Sequence, residues 1–67
     1  MMHIAAMKLD EFMRLKEMSD EAMASILAKD RTIVGKYRRG LVTPPLEVIA
    51  EIEKATSGAV SFRDFLA

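Results

Sequence analysis

Positive charge is concentrated in one short stretch of a sequence that is neutral as a whole. The 67 residues contain ten Lys and Arg and ten Asp and Glu, so the formal net charge is zero. Residues 29–39 hold five of the cations and a single acid, whereas acids outnumber cations in residues 8–21 and 47–64. This stretch is therefore a local electrostatic feature that could attract an anionic partner, although the bulk charge indicates none.

Residues 31–39 are predicted to form a helix with one polar, cationic side. At about 100° per residue, Ile33, Val34 and Tyr37 fall together on one side. The opposite side has no acid and no large apolar residue, and it consists of Arg31, Thr32, Gly35, Lys36 and Arg39. Arginine can donate two hydrogen bonds to guanine, and threonine can bond a base or contact a thymine methyl group. This side therefore carries the residue types that read base edges in a DNA major groove.

The flanks of the polar side suggest contacts with the DNA backbone. Lys29, Arg38 and Arg39 lie at its edges, where they are predicted to contact phosphates. Gly35 lowers helix propensity by about 1 kcal/mol relative to alanine, and a close approach of the helix backbone to another surface would explain its presence. The alternative at this point is a solvated basic face with a tolerated glycine.

The basic helix is predicted to follow another short helix after a tight turn. Ser19 is the expected N-cap of that earlier helix, which ends near Ala28, and Asp30 is the expected N-cap of the basic helix, which Gly40 ends. Two short helices joined in this way, with a basic outer face on the second, form a helix-turn-helix. The first helix braces the DNA backbone and the second enters the major groove.

The remaining pattern predicts an all-α, compact five-helix bundle in which residues 7–67 form a single domain. The first helix is expected at Met7–Glu17, and Met1–Ala6 either extend it or form a tail. Thr43-Pro44-Pro45 should start a fourth helix that is apolar on two flanks from Leu46 onward and ends by Gly58. A capping box at Ser61–Asp64 should start a fifth helix of little more than a turn. The buried stripe of the second helix is predicted to be Met23, Ile26 and Leu27.

The segment Asp20–Arg39 resembles the helix-turn-helix of the lambda-repressor and Cro family. Ala24 stands where that motif has alanine at the helix crossing, and Val34 and Tyr37 occupy its two buried recognition-helix positions. Ala28 takes the turn position usually held by glycine, and Lys29 replaces a usual apolar residue. Arg38-Arg39-Gly40 followed by Pro44 looks like the family's exit from the recognition helix. Ile52–Val60 is similar to the carboxy-terminal signature of small Cro and YdaS-like DNA-binding proteins. The resemblance covers about Leu9–Leu66.

This resemblance implies a fold like that of lambda repressor and assigns the base-reading positions to Arg31, Thr32, Gly35 and Lys36. The family often has a polar, phosphate-contacting residue at the start of the second helix. Here that residue is Asp20, which would repel phosphate. The contact is therefore expected to be missing, or to be made by amide groups at the helix N-terminus.

Little in the sequence favours an enzyme, a metal site or a cofactor. There is no cysteine, His3 is the only histidine, and no glycine loop of the phosphate-binding type is present. The acids Glu47, Glu51 and Asp64 are interpreted as solvated faces and caps. No apolar run approaches the roughly 18–20 residues that span a bilayer, and the start lacks the features of a signal peptide. A cytoplasmic protein without a small-molecule ligand or a membrane partner is expected.

One short helix reads only about 4–5 base pairs, which favours a homodimer, formed in solution or only on DNA. Phe62, Phe65 and Leu66 are the predicted dimer contact, and the alternative is that they cover the open end of the core. The sequence as a whole predicts a sequence-specific transcriptional regulator, a Cro-like repressor of phage or prophage type that acts by occupying an operator in double-stranded DNA. The alternative is a small helical adaptor, or an antitoxin-type component, whose basic helix binds an acidic protein.

Overall fold

The computed structural model describes residues 7–66, and the polypeptide in this range is all-α. Its α-helices are α1 (Leu9–Leu15), α2 (Asp20–Leu27), α3 (Arg31–Arg38) and α4 (Leu46–Ala55). The predicted fifth helix is instead a 3-10 helix of four residues, Phe62–Phe65, so this part of the chain contains four α-helices. The predictions made for Met1–Ala6, including a tail histidine at His3, and for Ala67 lie outside the described residues.

Local capping sets where the helices begin. The Ser19 hydroxyl accepts a hydrogen bond from the Ala22 amide at 3.0 Å, and the Asp30 carboxylate accepts one from the Thr32 amide at 2.9 Å. Both N-caps were predicted from the sequence. The first helix is shorter than the predicted Met7–Glu17, because Lys8 caps it in extended conformation and Glu17 has the left-handed φ of 55°.

The turn between α2 and α3 contains three residues, Ala28, Lys29 and Asp30. Ala28 adopts left-handed backbone angles, with φ 57° and ψ 44°, and the Lys29 amide donates to the Ala24 carbonyl at 2.9 Å. This geometry ends α2 abruptly and reverses the chain so that α3 packs on α2. A left-handed conformation favours glycine, since an L side chain there is strained by about 1–2 kcal/mol.

The core lies where the inner faces of the four helices meet. Its buried apolar side chains come from every helix and from the segment after α4: Leu9, Phe12, Met13, Met23, Ala24, Leu27, Val34, Tyr37, Val48, Ile49, Ile52 and Val60. The buried hydroxyl of Thr56 accepts a hydrogen bond from the Val60 amide at 3.1 Å and fixes the chain that follows α4. These contacts hold α3 with only one side against the protein.

One prediction about burial is wrong. Ile26 is predicted in the buried stripe of α2, but 53% of its surface is exposed. It lies about 100° around the helix from the centre of the stripe formed by Met23, Ala24 and Leu27. Of the two apolar flanks predicted for α4, the residues Val48, Ile49 and Ile52 are buried, while Leu46 and Ala50 are exposed.

Within residues 7–66, no helix has both the length and the apolar character needed to cross a membrane.

Candidate nucleic-acid interface

The exposed side of α3 carries most of the predicted base-reading and phosphate-binding residues. Val34 and Tyr37 are buried and Ile33 is half-buried, so the helix is oriented as its apolar spacing predicts. The opposite side chains are exposed, and all of them can donate hydrogen bonds: Arg31, Thr32, Lys36 and Arg39. Lys29, in the turn before α3, is exposed as well.

The exposed cations in and beside α3 are not used in ion pairs within the described part of the protein. In the described part of the chain, the ion pairs are made by only two cations, Arg14 and Arg38. The exposed cations in and beside α3 form none there: Lys29, Arg31, Lys36 and Arg39. Their positive charge is therefore not compensated by an ion pair in this part of the chain.

Gly35 is positioned differently from the prediction. It belongs to the polar side of α3, yet it is buried, because side chains of the protein lie over it. A Cβ atom added at Gly35 would lie 3.1 Å from Asp20 Oδ2 and 3.4 Å from Arg39 Nη1. The absence of a side chain thus gives room to Asp20 and to the guanidinium of Arg39, which folds back over the middle of α3.

Arg38 was predicted to contact phosphate, but its side chain is directed into the protein and only 18% of it is exposed. Its Nη1 donates to Asp20 Oδ1 at 2.5 Å, and its Nε donates to Asp10 Oδ1 at 2.9 Å. The hydrogen bond with Asp20, followed by that with Asp10, raises the pKa of Arg38 above its usual value, although burial opposes the shift. Since the guanidinium of Arg38 is bound by two carboxylates of the protein, Arg38 is not placed for the phosphate contact that the sequence predicts, and it links α3 to α1 and α2 instead.

Asp20 is consequently less of an obstacle to an anionic partner than the sequence indicated. Its carboxylate is at the start of α2, where it would repel phosphate if it were alone. In the structure Arg38 compensates its charge at 2.5 Å. No local sequence pattern indicates this pairing, because Asp20 and Asp10 lie 18 and 28 residues from Arg38.

An open cleft of about 590 Å³ separates the N-terminus of α2 from the polar side of α3. One wall comes from α2 and its cap, and the other comes from α3: Ser19, Asp20, Glu21, Arg31, Thr32, Gly35, Arg38 and Arg39. The cleft is the place where the two helices present polar groups together. It can admit the edge of an extended polar partner beside α3.

The predicted dimer residues are divided between the surface and the core. Phe62 and Leu66 are exposed, at 46% and 65%, whereas Phe65 is half-buried and packs against the core. A second group of exposed apolar residues was not singled out from the sequence, and it lies at the connection of α3 to α4: Leu41, Val42 and Leu46. The feature of the sequence that could have identified this group is the placement of three large aliphatic residues around Pro44 and Pro45.

Among residues 7–66, no three histidine, cysteine or acidic residues lie close enough together to hold a metal ion. Comparison of the chain with models of protein families, with curated proteins and with solved structures gave no match.

Proposed function

We propose that this protein is a sequence-specific DNA-binding transcriptional regulator in which α2 and α3 form a helix-turn-helix. The observation that carries the proposal is the exposed side of α3, where Arg31, Thr32, Lys36 and Arg39 project together without an intervening acid on the helix. A B-DNA major groove about 12 Å wide admits one α-helix. A helix that buries one side in the protein and offers donors and cations on the other matches that groove in shape and charge.

The roles follow from chemistry and position along α3. Arg31, Thr32 and Lys36 are proposed to contact base edges, since the first turns of a recognition helix lie deepest in the groove. Lys29 and Arg39, at the two ends of this surface, are proposed to contact phosphates. Gly35 lies beneath Asp20 and Arg39 in the middle of this surface, and it is proposed to leave room for these side chains without a base contact of its own.

Regulation is proposed to occur by occupancy of an operator by a homodimer. A single α3 reads few base pairs, and a two-fold dimer would place two copies about one helical turn, roughly 34 Å, apart on the duplex. Phe62 and Leu66 supply exposed apolar surface outside α3 and are the proposed contact, with Phe65 supporting them from the core. The resemblance of Asp20–Arg39 to the lambda-repressor and Cro family supports repression as the outcome.

The test is the salt dependence of binding to an arbitrary duplex, measured by fluorescence anisotropy. Neutralisation of phosphates releases counterions, so the logarithm of the binding constant should fall linearly with the logarithm of the salt concentration. Lys29→Ala removes a proposed phosphate contact and should weaken binding, whereas the matched control Lys54→Ala removes an exposed cation from α4 and should not. Absence of binding, or equal effects of both variants, would contradict the proposal and favour an acidic protein partner.

A further inference from the structure

We propose that Arg38 is a positioning residue that sets the orientation of α3 for base reading and does not itself touch DNA. This inference rests on the proposed function and specifies how sequence preference is built into the fold. It follows from three observations: the double ion pair of Arg38, the narrow buried apolar stripe of α3, and the close contact at Gly35.

The guanidinium of Arg38 joins three helices. Its Nη1 reaches Asp20 Oδ1 at 2.5 Å, while its Nε and Nη2 lie 2.9 and 2.8 Å from Asp10 Oδ1. Asp10 and Asp20 are in the first turns of α1 and α2, and Arg38 ends α3. The two acids lie near the positive ends of the dipoles of α1 and α2, and Arg38 lies near the negative end of the dipole of α3, so each charge is stabilised by its own helix. The planar, fixed donors of arginine make such a link directional, which a lysine ammonium would not.

The buried apolar side of α3 is a narrow stripe. Of its eight residues, only Val34 and Tyr37 are buried apolar side chains, with Ile33 half-buried beside them. A narrow stripe of this kind fixes the distance of the helix from the core better than its rotation or its shift along the axis. Base contacts need their side chains held within about 0.5 Å and 10–20°. Arg38, anchored on two other helices, supplies the missing restraint.

Gly35 belongs to the same arrangement. Asp20 Oδ2 lies 3.1 Å from the position of a Cβ at Gly35, which is tighter than an ordinary contact. A larger residue at this position would push the Asp20 carboxylate, whose other oxygen holds Arg38. The glycine therefore provides the space in which the Asp20–Arg38 pair forms.

A positioning role and a phosphate contact predict different binding behaviour. Loss of a phosphate contact weakens binding to all sequences alike and reduces the salt slope by about one. Loss of a positioning residue misaligns the base contacts, so the ratio of the affinity for the selected sequence to the affinity for random DNA falls, whatever loss the two affinities share. Partial unfolding reduces both affinities by the same factor and leaves their ratio unchanged.

The experiment begins with selection of a preferred duplex from a random pool by the wild-type protein. Affinities for this duplex and for random DNA are then measured over a range of salt concentrations. The fraction of each protein preparation that is competent to bind DNA is determined by titration. Arg38→Met should reduce the ratio of the two affinities by about tenfold, within the range for one lost base contact. It also leaves the Asp20 carboxylate without its partner, so binding to random DNA should weaken as well; the ratio is the readout, because a loss common to all sequences cancels in it. Lys54→Met, which removes an exposed cation from α4, is the matched control and should change neither quantity.

A second variant, Asp10→Ala/Asp20→Ala, decides the question if Arg38→Met fails to fold. It removes both acceptors and frees Arg38, so binding to random DNA should tighten while the affinity ratio falls. An unchanged or higher ratio would overturn the inference, as would an Arg38→Met protein that loses all sequences equally with a salt slope flatter by about one. A wild-type protein without salt-dependent DNA binding would instead reject the proposed function itself.

Discussion

The left-handed turn at Ala28 gives a prediction about stability that is independent of any ligand. Ala28 has φ 57° and ψ 44° and is exposed, so its methyl group contributes little packing. Replacing it by glycine should relieve about 1–2 kcal/mol of backbone strain. Glycine also gains freedom in the unfolded chain, which costs roughly 0.5–1 kcal/mol. The net expectation is that Ala28→Gly raises the free energy of unfolding by about 0.5–1 kcal/mol.

The matched control is Ala50→Gly, which changes the same two residue types at an exposed position inside α4. There the backbone is helical, so only the cost of glycine remains, about 1 kcal/mol. The two variants should therefore shift stability in opposite directions. In a domain of this size each kcal/mol moves the melting temperature by about 4–8 °C, a separation that circular dichroism resolves easily.

Urea denaturation of both variants gives their free energies of unfolding, and unchanged m-values would show that the surface exposed on unfolding is the same as in the wild type. If Ala28→Gly destabilises the protein as much as Ala50→Gly does, Ala28 is not in the left-handed region. The turn from α2 to α3, and with it the placement of the exposed side of α3, would then be wrong.

Three further predictions concern the DNA-facing surface and the dimer. Gly35→Ala should leave the free energy of unfolding nearly unchanged, because a helix gain of about 1 kcal/mol is offset by the contact with Asp20, and it should weaken specific binding; a full gain in stability with unaltered affinity would refute this. Arg31→Ala should cost about 1–3 kcal/mol on the selected duplex and relax one base position, whereas Arg39→Ala should weaken all duplexes and flatten the salt slope by about one; identical behaviour of the two would contradict their assigned roles. Phe62→Glu should abolish cooperative occupancy of a palindromic site in mobility-shift titrations while half-site binding survives, and a folded variant that remains cooperative would place the interface elsewhere.

Features governed by neighbours in sequence could be predicted. The caps at Ser19 and Asp30 act on amides two or three residues away, so their residue types suffice to identify them. The orientation of α3 follows from the spacing of Val34 and Tyr37. The capping box at Ser61 also forms, with the Ser61 amide donating to Asp64 at 2.7 Å, but it does not determine that the following turn is 3-10.

Features governed by distant parts of the chain could not be predicted. The periodicity of α2 shows that Ile26 is apolar, but it does not show that the neighbouring helices leave half of this side chain exposed. In the same way, the projection of α3 places Arg38 at the edge of the polar side. Its two acceptors come from helices whose placement depends on the whole fold, so its role as an internal link emerges only in three dimensions.

If α3 enters the groove of duplex DNA with its exposed side, binding should change the environment of the backbone amides of this helix. The measurement is a titration of ¹⁵N-labelled protein with the selected duplex, in which the chemical shifts of the backbone amides are followed. The largest shift changes are expected at Arg31, Thr32 and Lys36, with smaller ones at Lys29. The exposed side of α4 around Glu51 should remain unaffected, because it lies on another helix without the cationic donors of α3. Changes centred on α4 or on the C-terminal 3-10 helix, with the α3 signals unmoved at saturation, would rule out insertion of α3 into the groove.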